Sequence, residues 1–173
     1  MAGSLIKIDE QIVTSAVASV SLLGIDSTYD VYMMQFYNTV PDIDGIDLRM
    51  RVTESSTPNT TSNYDRASKL LRTSTTFANQ SATNETSWDM GTNVGNQTGE
   101  AYNGTCYIFN ANNSSEYTFF TKEIVEFNST PELVGQQGGG VFTSSSSVNG
   151  VNLFFQSSNN IASGTFSLYS LKK

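Results

Sequence analysis

Between residues 46 and 53 apolar and polar side chains alternate without a break, with Ile46, Leu48, Met50 and Val52 set against Asp47, Arg49, Arg51 and Thr53. A period of two puts the first four on one face of a strand and the polar four on the other, as a half-buried β-strand requires. Residues 29–37 (YDVYMMQFY) are aromatic and strand-like. Between the two stretches, Val40-Pro41-Asp42 and Asp44-Gly45 supply turn chemistry. The pattern predicts an antiparallel pair joined by a loop of moderate length, with one wet face.

The rest of the chain continues in short extended pieces. Residues 5–8 read as an arm or a first strand. Over 12–23, Val13, Ala16, Val17 and Val20 would stripe a helix, yet the Val and Ser/Thr content favours a strand, ended by Gly24. A polar loop with Pro58 covers 53–63, and 64–77 is assigned to a strand finishing in the β-favouring run 73–77. Residues 79–104 hold almost no aliphatic side chains. So long a polar interval in a compact domain is functional, an interface, or a cover for short strands. Five further strands are expected at 105–109, 117–127, 140–144, 151–155 and 161–171, bounded by Gly, Asn, Ser or Pro.

Short strands at this spacing predict an all-β fold, an antiparallel, jelly-roll-like β-sandwich with long polar loops. Residues 1–21 form an N-terminal arm or first strand, and 22–173 a single sandwich domain. As an arm, the segment would bury Ile6, Ile8, Ile12 and Val13 against another subunit or a particle, by adding a strand to a neighbour's edge. Otherwise those residues build the first strand of their own sheet.

Composition narrows the chemistry. Of the 173 residues, 38% are hydrophobic and 14% charged, so Ser, Thr, Asn, Gln and Gly make up much of the remainder. That suits a β-protein with uncharged loops, long enough for one proper core. Histidine is absent, which removes the commonest general base and metal ligand together. Cys106, the single cysteine, excludes an intramolecular disulfide and reads as a small buried hydrophobe. A net charge of −7 argues against nucleic acid, and neither a signal h-region nor a membrane span is expected.

Few residues invite a chemical role. Asp42, Asp44 and Asp47 around Gly45 are weak candidates for a calcium ion, but their spacing is not that of an EF-hand and Asp-Gly is ordinary turn chemistry. Asp9, Glu10, Glu123 and Glu126 supply carboxylates for a glycosidase pair in principle. Glu123 and Glu126 differ by an odd number, so a regular strand sends them to opposite faces. Trp88, the only tryptophan, lies inside the polar interval and either pins that loop, anchors an intersubunit contact, or stacks on a sugar. Gly138-Gly139-Gly140 lacks the Lys-Ser/Thr of a phosphate loop and is expected to be a flexible turn. No catalytic residue and no cofactor are expected.

The blocks at 29–36, Pro41, Asp44-Gly45, Asp47-Leu48-Arg49-Met50-Arg51, Ser62-Asn63-Tyr64 and Gly164-Thr165-Phe166-Ser167-Leu168-Tyr169 together carry a resemblance. The chain resembles small virion structural proteins of tailed bacteriophages, notably of marine hosts, of the capsid decoration (cement), head-fibre and tail-fibre types. Ser170 stands where that family usually has Gly, and 79–104 lies outside the resemblance. The likeness implies a β-sandwich without an active site, made in the host cytoplasm and carried on the outer surface of the virion. It implies partners among the major capsid protein or other virion proteins, and symmetric self-association, with a trimer favoured. A decoration protein is the first expectation and a fibre subunit the second. A glycan-binding β-sandwich module is the competing class, and it would need exposed aromatics on one face.

Overall fold

A computed structural model describes residues 4–171; the first three residues of the expected arm lie outside them. Apart from one 3-10 turn at Gln156–Ser158, the regular structure of the described residues is all strand. The first four strands are β1 (Leu5–Val13), β2 (Val20–Leu23), β3 (Val31–Pro41) and β4 (Leu48–Glu54). Next come β5 (Thr57–Pro58), β6 (Tyr64–Arg72), β7 (Ala78–Glu85), β8 (Trp88–Asp89) and β9 (Tyr102–Phe109). The chain closes with β10 (Thr118–Phe127), β11 (Leu133–Phe142), β12 (Val148–Phe155) and β13 (Ile161–Leu171).

These strands form two antiparallel sheets packed face to face. One has eight strands in the order β1-β13-β3-β9-β10-β11-β6-β7; the other runs β2-β12-β4-β5, with β8 also on β4. The pairs β1·β13, β2·β12, β3·β9 and β4·β8 are nested, first with last and inwards. That nesting, with β13 beside β3 and β12 beside β4, is the strand order of a jelly roll. Two inserted hairpins, β6–β7 and β10–β11, widen the larger sheet. The sandwich predicted from strand spacing is therefore the fold observed.

Alternation decides which side chains meet between the sheets. Leu48, Met50 and Val52 are fully buried, as the 46–53 pattern requires. Ile46, however, precedes the strand and is half-buried, and Thr53, expected on the wet face, is fully buried where a bulge shifts the register with β12. Strand β10 alternates buried and exposed over its whole length, which sends Glu123 out and Glu126 in. Burying some thirty apolar side chains at about 1.5–3 kcal/mol for each large one is what opposes the chain's conformational entropy.

Several local expectations are corrected. β3 and β4 do not pair: β3 lies between β13 and β9, whereas β4 lies between β12 and the short β5 and β8. Both strands have an apolar face, and Tyr32, Met34 and Phe36 share one core with Leu48, Met50 and Val52 from the opposite sheet. Residues 42–47 are thus a crossover between layers. Residues 12–23 are not one strand either, because the chain leaves β1 at Val13, turns through 14–19 and enters the other sheet at Val20. Two main-chain hydrogen bonds between Val17 and Ile161 hold that corner.

The run 73–77 is a turn, with Thr75 at φ 65° and Phe77 exposed. Gly138, Gly139 and Gly140 lie inside β11, paired on both sides. The polar interval conceals β7 and β8, and its remainder closes one end of the sandwich. Met90 and Val94 are fully buried there, and Val94 bridges Ile46 and Asn128.

Candidate functional site

The outer face of the eight-stranded sheet carries the most conspicuous exposed chemistry. On β10 the outward residues are Phe119, Thr121, Glu123, Val125 and Phe127. Cross-strand register sets Phe119 between Phe109 and Val141, an apolar row three strands wide. The next row sets Thr121 between Tyr107 and Gly139, and the one after sets Glu123 between Thr105 and Gln137. Phe119 is 45% exposed and Tyr107 39%, large fractions for aromatic rings. Directly opposed side chains on a sheet lie within contact range, so each row is a continuous strip.

Two shallow grooves run between these rows. The first, of about 510 Å³, is flanked by Tyr37 and lined by Gln35, Asn103, Thr105, Glu123 and Gln137. The second, of about 560 Å³, adjoins it between Met33, Tyr107, Thr121 and Gly138. Gly135, opposite the exposed Val125, adds no side-chain bulk to the first groove. The face is thus aromatic on its ridges, and its grooves mix apolar walls such as Leu71 and Val125 with amide and hydroxyl side chains. It offers stacking surface, amide and hydroxyl hydrogen bonds, and one carboxylate.

Beneath the same sheet, facing the core, lies a cluster of charged and amide side chains. Lys122 Nζ donates to the main-chain oxygen of Asp89 at 2.8 Å and to Gln136 Oε1 at 3.0 Å. Gln136 Nε2 donates to Glu126 Oε1 at 3.3 Å, which also accepts from Thr92 N at 3.2 Å. Asp89 pairs with Arg66 at 3.3 Å and accepts from Gly91 N at 3.1 Å. Lys122, Gln136, Glu126 and Asp89 are all at least 97% buried. Burial pushes the Glu126 carboxyl up to about 8 and lowers the pKa of Lys122. Glu126 Oε2 is buried without a hydrogen-bond partner. Sequence reasoning missed this cluster because a buried Lys and an exposed Lys look alike in a strand pattern; the one signal was polar Lys122 and Glu126 in phase with apolar Phe120 and Ile124.

The sequence-based candidates land elsewhere. Asp42, Asp44 and Asp47 do not converge. Asp42 accepts from Asn160 N and Nδ2, Asp44 from Asn96 N, and Asp47 from Asn93 N while pairing with Arg49. Among the described residues no group of three or more acidic or cysteine side chains is placed to hold a metal ion. The weak calcium reading is corrected: each carboxylate ties a loop.

Trp88 is also corrected as an interface candidate. It is 1% exposed, packs at 4.5 Å on Phe120 and 5.0 Å on Tyr64, and donates Nε1–H to Val141 O at 3.3 Å. It pins the polar interval to its own core. Cys106 is fully buried, which pushes its thiol up to about 12.

Of the proposed arm residues, Ile6 and Ile8 are half-buried, Val13 is buried and Ile12 is 65% exposed. They lie in β1, which pairs along its length with β13 of the same chain. Ile8 and Val13 pack on the common core. β1 is the edge of its sheet, so its outer side remains open for a further strand.

The chain significantly matches no family model, no curated protein and no solved structure.

Proposed function

We propose that this protein is a non-catalytic structural subunit of a bacteriophage particle, a decoration or cement protein that docks on the outer capsid surface through the outer face of its eight-stranded sheet. The observation that carries this reading is the apolar row of exposed Phe119 with its half-buried neighbours Phe109 and Val141, beside exposed Tyr107. Apolar rows on a soluble domain mark contacts with other proteins, and aromatic anchors dominate such contacts. The resemblance of the sequence to virion structural proteins supplies the particle. Repetition on a particle favours symmetric assembly, with a trimer as the expected form. A fibre subunit using the same face is the alternative within this class.

The test is co-sedimentation with capsids that lack the protein, comparing the parent chain with Phe119→Asp and Tyr107→Asp. Loss of binding with an unchanged melting temperature supports the reading. Undiminished binding by both variants removes this face from the interface.

A second reading is favoured by one specific feature. The groove flanked by Tyr37 and lined by Gln35, Asn103, Glu123 and Gln137 combines an exposed ring with convergent amides. That is the chemistry of a glycan-binding module, stacking on a sugar face and hydrogen bonding its hydroxyls. Glycan-array binding abolished by Tyr37→Ala, with capsid binding absent, would replace the first reading by this one.

A further inference from the structure

The buried Lys122–Gln136–Glu126 triad is arranged for a reaction that the docking function does not use. We propose that Lys122 and Gln136 become joined by an intramolecular isopeptide bond, with Glu126 as the proton carrier, so that β10 and β11 are covalently tied inside the sandwich.

Each component of the step is in place. Lys122 Nζ lies 3.0 Å from the carbonyl oxygen of the Gln136 carboxamide, next to the carbon it would attack. Gly138 is the residue directly opposite Lys122 on β11, so no side chain there stands between the lysine and its diagonal neighbour Gln136. The leaving nitrogen, Gln136 Nε2, already touches Glu126 Oε1 at 3.3 Å. The other oxygen, Oε2, has no partner and is free to hold the acid proton. The terminal torsion of a Glu is soft and roughly two-fold, so the two oxygens exchange places at little cost.

Burial sets the protonation states that such a step needs. It disfavours charge on both groups, moving lysine towards the neutral amine and glutamate towards the neutral acid. The competing carbonyl group is the Asp89 carboxyl. It is paired with Arg66 and accepts from Gly91 N, and Lys122 meets only its main-chain oxygen. An ion-paired carboxylate resists attack by an amine, whereas a neutral carboxamide is the better acyl donor.

The chemistry balances without an outside reagent. The lone pair of Lys122 Nζ forms a bond to Gln136 Cδ, and the π pair of the carbonyl moves to Oε1. On collapse that pair returns, the Cδ–Nε2 bond breaks, and Nε2 leaves as ammonia with a proton from Glu126. The surplus proton on Nζ passes to Glu126, which is restored. The net change is loss of one ammonia and gain of one secondary amide. Enclosure of amine, carboxamide and acid in one buried site supplies the proximity that makes an otherwise slow reaction intramolecular.

The experiment is intact-mass analysis of the folded full chain after denaturation, followed by fragmentation of its proteolytic peptides. The expected result is a mass one ammonia below that of the sequence, and one branched peptide joining Lys122 to Gln136. Glu126→Gln should retain the full mass while still melting cooperatively, and Lys122→Met should also retain it. Recovery of Lys122 and Gln136 in separate unmodified peptides overturns the proposal. So does ammonia loss mapped to an asparagine, or a water-loss link from Lys122 to Asp89. Undiminished linkage in Glu126→Gln overturns the assigned mechanism. Should a variant fail to fold, the branched peptide of the parent chain decides alone.

Discussion

Gly140 lies directly beneath Trp88: a Cβ built on the glycine would come within 2.9 Å of the indole Nε1 and 2.5 Å of Phe120 Cε1. The indole belongs to the smaller sheet and the Phe120 ring to the larger one, and they meet at 4.5 Å because β11 has no side chain at this point. Gly140→Ala is therefore expected to lose about 1–3 kcal/mol by overpacking. Trp88→Ala should lose about 3–5 kcal/mol by emptying the same space. Urea midpoints measure both. A neutral Gly140→Ala would mean that the ring stack relaxes freely.

Met50→Asp should be far more damaging than either flanking arginine change. Met50 is fully buried, and an unpaired carboxylate there costs several kcal/mol. Arg51 lies over the Phe154 ring at 4.2 Å and donates to Thr86 O, so Arg51→Asp should cost only about 1 kcal/mol. Arg49→Asp loses the Asp47 pair and should fall between the two. Chemical denaturation of the three variants in parallel decides the register, and equal losses would refute it.

Stability should fall as pH rises through the Glu126 transition. The carboxyl is held at about 8 in the folded chain against an ordinary 4.5, chiefly by burial. Between those values the folded state binds more protons than the unfolded one, so stability is greatest below the ordinary value and is lost as pH climbs through the folded value. Asp89, also raised by burial, acts in the same sense from a lower starting point. A free Lys122 amine, its pKa lowered by burial, would act oppositely, whereas an amide-linked Lys122 does not titrate. Melting temperatures at about pH 6 and about pH 9 should diverge in the parent and much less in Glu126→Gln. Equal pH slopes in the two would exclude Glu126 as the source.

Removal of residues 5–12 should destabilise the domain instead of merely trimming it. These residues pair with β13 across Thr165–Leu171, with one bulge at Ile8, and Asp9 accepts from Leu23 N to join the strand to the other sheet. The truncated chain should melt well below the parent and self-associate through the newly exposed β13 edge. A truncated chain that melts like the parent and stays monodisperse would return the segment to the status of a detachable arm.

Particular elements show how far the sequence could be read. Residues 161–171 were legible as a strand to the residue. The alternation at 46–53 put Leu48, Met50 and Val52 inside correctly but missed that Ile46 lies before the strand and that Thr53 is buried. The odd spacing of Glu123 and Glu126 correctly put them on opposite faces. These are local consequences of the two-residue period, and they hold whatever the strand's partner is.

Partnership is where sequence reading stopped. β3 and β4 are neighbours in sequence, but each has a core face and the turn between them is long enough to cross 42–47 into the other layer. A pleat pattern says which face is buried and not which strand lies alongside. Gly138-Gly139-Gly140 reads as a turn by composition and is a strand only because Ala67, Ser68, Phe120 and Trp88 crowd against it. Lys122, Gln136, Glu126 and Asp89 come from three strands, and nothing local to any of them announces the others.

The sequence by itself determined strand content, facing and class, because backbone pleat and hydrophobic alternation act over a few residues. The tertiary structure alone decided sheet order, the exposed aromatic face and the buried triad. Those depend on contacts between residues far apart in the chain, whose free energy exists only once both sheets have closed on a common core.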